Sequence, residues 1–304
     1  MQTTSNLLMI RPVNFEFNVQ TAVNNKFQQV DDNPNNVQEK ALLEFDNFVA
    51  LLRKNDINVV VIEDTPDPIT PDSIFPNNWI SFHQDGSVYL YPMFSENRRP
   101  ERRKDIIQNL SQHFQVNHQS DLSFFEQAGQ FLEGTGSMVL DREHKIAYAC
   151  MSIRTDAEVL AQFCALSGYK AVTFHAVDQT NFPIYHTNVM MCVGTKFILI
   201  CAESIPDPHE RQYVLKQIAA TGKEIIEISF TQMNHFAGNM LEVENNKGEK
   251  FIIMSEQAYQ ILNPQQIVSL EAYGKILHAP LYTIEKNGGG SARCMLAEIH
   301  LPKN

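Results

Sequence analysis

Near its C-terminus the chain reads Asn287-Gly288-Gly289-Gly290-Ser291-Ala292-Arg293-Cys294-Met295-Leu296-Ala297-Glu298-Ile299. A glycine run feeds a polar turn, then one cysteine, then an apolar strand-like segment. A cysteine at a strand's entrance is placed where backbone N–H groups can face a bound molecule, and a thiolate is a strong nucleophile. Such chemistry needs a proton carrier and a group that orients it. His186, after Pro183-Ile184-Tyr185, supplies an imidazole whose ordinary pKa lies near neutral. Glu133 supplies a carboxylate to orient or protonate. Asn77 and Asn78 offer amides that match an amide-like group.

These residues fall on a recurring pattern: an aromatic or apolar residue, a few small or polar ones, then an alternating apolar run. It appears at Phe75 to Phe82, Leu132 to Leu140, Tyr185 to Met191, Phe236 to Val243 and Ala292 to Ile299. With Asn78, Ser137, Asn188, Asn239 and Cys294 as equivalent anchors, the steps are 59, 51, 51 and 55 residues. Near-constant spacing with self-similar chemistry indicates a repeat architecture. Helical patterns fall between anchors, over residues 100–114, 156–167, 208–221 and 255–262. Each unit then holds strands and a helix, and five units close around an axis with their polar strand starts converging. Asn239, at the fourth anchor, carries no evident chemistry and reads as a holder of its strand start; His235 reads as structural.

Composition narrows the setting. The chain has 304 residues, 43% hydrophobic and 19% charged, enough for a sizeable core. It has 24 Lys and Arg against 35 Asp and Glu, for a net charge of -11, which argues against nucleic-acid binding. No apolar run approaches membrane-spanning length, so no membrane partner is expected. The cysteines, at 150, 164, 192, 201 and 294, are odd in number, irregularly spaced and without CxxC, which suggests neither a zinc site nor a disulfide framework. A reducing cytoplasm is the simplest setting. Cys150, Cys164, Cys192 and Cys201 lie in apolar runs and read as core.

The order Asn77-Asn78-Trp79, then Glu133-Gly134-Thr135-Gly136, then His186-Thr187-Asn188, then the glycine run with Cys294-Met295 resembles the guanidine-group-modifying superfamily. That group includes arginine deiminases, dimethylarginine hydrolases and amidinotransferases. The resemblance spans the chain and implies one catalytic domain over 1–304, an α/β fold with five-fold pseudo-symmetry (the pentein propeller). It implies that Cys294 attacks the central carbon of a guanidine, with His186 and Glu133 as its partners. Ser152-Ile153-Arg154-Thr155 is similar to the segment whose arginine holds the substrate's carboxylate, and an arginine fork suits that bidentate task. Thr155 or Asp156 should cap the next helix. Asp72, in the proline-rich loop before Asn77, is the better candidate there for the substrate's amino group, with Glu63 and Asp64 weaker. The implied partner is a small amino-acid substrate, the chemistry calls for no cofactor or metal, and a homo-oligomer is left open.

The sequence departs from arginine-directed members in two places. Where they carry carboxylates, this chain has Asn78 and Asn188. A buried guanidinium without countercharge is costly, whereas neutral amides match a ureido group, which displays C=O and N–H together. The expectation is therefore hydrolysis of a ureido or guanidino C–N bond, L-citrulline to ornithine, carbon dioxide and ammonia first. The alternatives are amidino transfer from arginine and guanidine deimination. A non-catalytic amino-acid sensor should have lost Cys294 or His186, and both are present.

Overall fold

A computed structural model describes residues 1–30 and 36–304. Five three-stranded sheets repeat one plan: an inner strand, an antiparallel middle strand, a helical crossover, and an outer strand parallel to the middle one. The first sheet has β1 (Asn6–Arg11) as middle strand and β2 (Asn58–Glu63) as outer strand. The second holds β3 (Ile80–Phe82), β4 (Ser87–Leu90) and β5 (His118–Asp121). The third holds β6 (Val139–Asp141), β7 (Ile146–Cys150) and β8 (Lys170–Phe174). The fourth holds β9 (Met191–Val193), β10 (Phe197–Ile200) and β11 (Glu224–Glu227). The fifth holds β12 (Leu241–Glu244), β13 (Lys250–Ser255) and β14 (Lys275–Ala279).

The ring closes through β15 (Ala297–Glu298), which returns antiparallel to β1, with Leu7 opposite Glu298 and Leu8 opposite Ala297. The first sheet thus takes its inner strand from the C-terminus. Inner strands meet around the axis: β15 contacts β3, β6 contacts β9, and β9 contacts β12. This is the five-fold α/β-propeller expected from the sequence.

Local chemistry explains the crossovers. Helix Ala157–Ser167 starts where the Asp156 side chain accepts from the N–H groups of Glu158 and Val159, and it ends at Gly168 in the left-handed region. Helix Pro208–Ala219 has Asp207 as cap and proline in its first turn, and Pro264–Glu271 starts with an Asn263/Gln266 capping box. The expected helix over 100–114 is instead divided. A 3-10 turn spans Glu96–Glu101, the chain extends at Arg103, and the α-helix covers Lys104–Ser111. Pro100 lies inside the 3-10 turn, and Arg103 leaves it with ψ of 127°, so no continuous helix forms. The longest helix, Val37–Lys54, went unremarked in the sequence, although its buried residues Val37, Ala41, Phe45, Phe48, Val49 and Leu52 keep helical spacing.

Apolar clusters fill the space between neighbouring sheets and their helices. Among the described residues no helix is long and apolar enough to cross a membrane, and no cluster of three or more His, Cys, Asp or Glu side chains is placed to hold a metal.

Candidate active site

All five anchors lie just before an inner strand. Short helical turns carry three of them, at Pro76–Asn78, Gly134–Ser137 and Thr187–Val189. Asn239 follows a turn at Phe236, whose φ is 60°, and Cys294 sits in the turn before β15. Each turn reverses the chain at the ring's centre, so side chains from five repeats gather within a few ångströms. Close approach dictates Gly136: a Cβ there would collide with the Asn78 side chain and come within 2.7 Å of His186 Nδ1.

A narrow, tightly filled cavity opens here, walled by Asp72, Phe75, Asn78, Arg98, Arg154, Tyr185, His186, Cys294, Gly288 to Gly290, and by Thr21 and Asn25. Cys294 is 4% exposed, on the cavity wall. Its sulfur accepts from Asn239 Nδ2 at 3.2 Å and from Asn188 Nδ2 at 3.4 Å. In the other four cysteines burial pushes the thiol up, to about 11 for Cys164 and about 12 for Cys150, Cys192 and Cys201.

His186 Nε2 meets Glu133 Oε2 at 2.7 Å, with both residues almost fully buried. Burial favours a protonated Glu133, but the Arg154 charge, the His186 contact and Arg98 outweigh it and hold the carboxyl well below its usual range. An ionised Glu133 only accepts, so we assign the Nε2 proton to His186. Burial lowers the His186 pKa to about 4 against the pull of Glu133, so the ring is neutral near pH 7. Its Nδ1 has no hydrogen-bond partner among the described residues, and the ring lines the cavity. A neutral imidazole held through one nitrogen, with the other free, is a general base.

Arg154 is 2% exposed and fully engaged in this state. It donates to Glu133 Oε2 at 3.3 Å, to the Thr21 carbonyl at 2.9 Å and, through two nitrogens, to Asn24 Oδ1. Asp72 Oδ2 accepts from Asn18 Nδ2 at 2.8 Å and Thr21 Oγ1 at 3.1 Å, while Oδ1 is buried without a partner. Burial raises the Asp72 carboxyl, opposed by Arg98.

The amides divide. Asn78 lines the cavity; its Oδ1 accepts from Arg98 at 2.8 Å and its Nδ2 donates to Asn77 Oδ1 at 3.1 Å. Asn77 does not line the cavity; its Nδ2 donates to Thr135 Oγ1 at 3.3 Å, so it braces Asn78. Asn188 sits behind the thiol, with a buried, unpartnered Oδ1. Of the weaker candidates, Asp64 accepts from Thr70 at 2.7 Å and Glu63 pairs with Arg11; neither reaches the cavity. Within the glycine turn, the Gly289 and Cys294 N–H groups donate internally, whereas Gly290, on the wall, donates to nothing among the described residues.

Sequence reasoning missed two features. Arg98 is buried, grips Glu101 at 2.8 and 2.9 Å, and points a further N–H at Asn78. The segment Asn18 to Gln28 roofs the cavity, holding Asp72 and Arg154. Its signal was length: the connection from β1 to helix Val37–Lys54 exceeds the usual loop, a mark of functional segments.

The comparisons with known proteins agree with this geometry. The family model for N,N dimethylarginine dimethylhydrolase, eukaryotic, matches residues 11–301. The chain belongs to that family. It is thereby a member of the guanidino-group-modifying superfamily. No curated protein matches the chain. Among solved structures it is similar to apo ArgZ, an arginine dihydrolase from the ornithine-ammonia cycle in cyanobacteria, at 18% identity and a TM-score of 0.76 over 98% of this chain and 41% of that one. The chain thus spans about two fifths of ArgZ. The N-terminal domain of ArgZ bound to product aligns over 98% of both chains, at 17% identity and a TM-score of 0.76. A dimethylarginine dimethylaminohydrolase adduct with 4-chloro-2-hydroxymethylpyridine aligns at 17% identity and a TM-score of 0.66, over 97% of this chain and 99% of that one. At these identities the likeness is one of fold.

Proposed function

We propose that the protein hydrolyses the C–N bond of a ureido amino acid, L-citrulline first, through a covalent bond to Cys294, and that residues 1–304 form the catalytic domain. The observation that carries the substrate choice is Asn188. Its amide holds the cysteine sulfur through Nδ2 and leaves Oδ1 buried and unpaired, just behind the cavity lining. Leaving such an acceptor unpaired costs about 1–3 kcal/mol, so a substrate N–H bound there gains that much relative to an aqueous partner. Asn78, beside the Arg98 guanidinium, adds a second neutral amide where a cationic group would need a carboxylate.

The steps follow from the arrangement. Neutral His186 takes the thiol proton and the Cys294 sulfur attacks the ureido carbon. The Gly290 N–H meets the developing oxyanion; one such donor is worth about 3 kcal/mol in other enzymes. The bond from carbon to the side-chain nitrogen breaks, and ornithine leaves with the proton returned by His186, which Glu133 orients. Water, deprotonated by the same imidazole, then cleaves the S-carbamoyl bond to give free thiol and carbamate, which decomposes to carbon dioxide and ammonia. Asp72 Oδ1 receives the substrate ammonium, and Arg154, released by Asn24, receives the carboxylate.

A second reading is arginine hydrolysis by the same steps. The likeness to an arginine dihydrolase favours it. Amidino transfer and deimination use the same thiolate but find no separate support in the cavity. Incubation with L-citrulline and with L-arginine, followed by product analysis, separates these readings. Ornithine and ammonia from citrulline alone is the expected result; turnover of arginine with citrulline inert overturns the substrate assignment.

A further inference from the structure

Two asparagines reach the cysteine sulfur, and they are not equivalent. Asn188, which like Asn239 is buried outside the cavity lining, keeps an acceptor without a partner. Asn239 has none left. Its Oδ1 accepts the backbone N–H of Arg293 at 3.0 Å, the residue immediately before the cysteine. Its Nδ2 donates to the Asn188 carbonyl at 3.0 Å and to Cys294 Sγ at 3.2 Å. The side chain is 1% exposed and does not line the cavity. The Arg293 contact fixes which end of the amide is oxygen, so an N–H must face the sulfur. His186, by contrast, makes no contact with the sulfur here; its bonded nitrogen is on Glu133.

We infer that Asn239 is a further catalytic residue: the fixed donor that stabilises negative charge on the Cys294 sulfur before substrate arrives. The sequence reading, which gave the fourth anchor no chemistry beyond holding its strand, is revised accordingly. The inference deepens the proposed hydrolase and rests on Cys294 as its nucleophile. A donor locked on both sides needs no reorganisation when the thiol ionises, and preorganised donors act that way in other active sites. Because it lies behind the sulfur, Asn239 acts on the bond-making step and not on substrate binding.

The test is alkylation of the substrate-free protein by iodoacetamide at pH 7, in which the thiolate displaces iodide and a C–S bond replaces the C–I bond. Asn239→Asp keeps an oxygen for the Arg293 N–H but removes the donor; Asn239→Ala removes both. Both variants should alkylate Cys294 about tenfold more slowly, since one hydrogen bond to a charged group is worth that much. The melting temperature of Asn239→Asp should be near wild type, and kcat on the true substrate should fall with KM unchanged. Wild-type alkylation in the two variants, or losses only in proportion to the unfolded fraction, overturns the inference and leaves Asn239 a brace for Arg293. The result is independent of substrate identity: slower alkylation with citrulline inert keeps the donor and removes the citrulline reading. Normal alkylation with citrulline hydrolysed removes the donor and keeps the hydrolase.

Discussion

The two ends of the ring are built from similar residues and finished differently. At the strand starts, Asp72 Oδ1, Asn188 Oδ1 and Asn24 Nδ2 are buried without partners. At the far ends of the inner strands, Gln2 plugs the axis: its Nε2 donates to the carbonyls of Leu140 and Val193 at 3.0 and 3.1 Å, and its Oε1 accepts from Arg142 N at 2.8 Å. Around it Arg293 pairs with Glu298 at 2.8 Å, and Lys223 pairs with Asp141 at 3.2 Å and donates to the Gly194 carbonyl at 2.7 Å. None of those side chains holds an orphaned buried atom. The far end satisfies its polar groups internally. The site end leaves three of them without partners. Orphaned buried atoms also occur away from the cavity, at Trp79, Tyr148 and His278, so the contrast lies between the two ends of the ring and not between site and scaffold as a whole.

Breaking the site end should abolish turnover without unfolding the ring. Cys294→Ser should lower kcat at least 10³-fold, on the order seen when other catalytic nucleophiles are removed, with unchanged circular dichroism; near-normal turnover defeats the covalent route. Glu133→Gln should cost about 10²–10⁴-fold in kcat, the range of general acid–base contributions, because a neutral amide no longer stabilises the imidazolium that forms at His186 and can turn its N–H end toward Nε2. Asn188→Asp sharpens the substrate side. A carboxylate there should shift the citrulline-to-arginine ratio of kcat/KM toward arginine by about 10–200-fold, the scale of single-contact discrimination.

Protons affect both ends alike. His186 and His300 are each lowered to about 4, mainly by burial, from 6.5. Below about pH 6.5 the unfolded chain binds protons that the folded chain refuses until about pH 4. The stabilisation is therefore complete above 6.5 and lost as pH falls toward 4. Urea midpoints should carry this loss across that window, set against an opposite gain from Glu101 and Glu285, whose buried carboxyls, raised to about 8 and about 7, take up protons in the folded state first as pH falls. The smallest effect belongs to the closed end. Gln2→Ala should cost about 1–3 kcal/mol, a few degrees of melting temperature, and leave kcat unchanged.

The sequence was legible where the ring repeats itself. Five anchors of like chemistry announced both the propeller and the convergence of Cys294, His186, Glu133 and Asn78. It was silent where partners come from distant segments. The roof from Asn18 to Gln28 lies far in sequence from Arg154, which it holds, and no local pattern encodes that pairing. Arg98 lies just before the helical pattern over 100–114, and nothing in that pattern marks the 3-10 turn that buries it. Asn77 and Asn78 could not be told apart, since adjacent residues in a 3-10 turn point differently only once the turn exists. Asn239 failed for the same reason: its role depends on which amide atom Arg293 claims.

The central claim is that Cys294 carries the reacting carbon. Rapid acid quench of the protein during turnover of L-citrulline, followed by peptide mass spectrometry, tests it directly. A carbamoyl group on the Cys294 peptide, absent from Cys294→Ala, is the predicted result. Turnover with no adduct on Cys294, or with the adduct on another residue, contradicts the account.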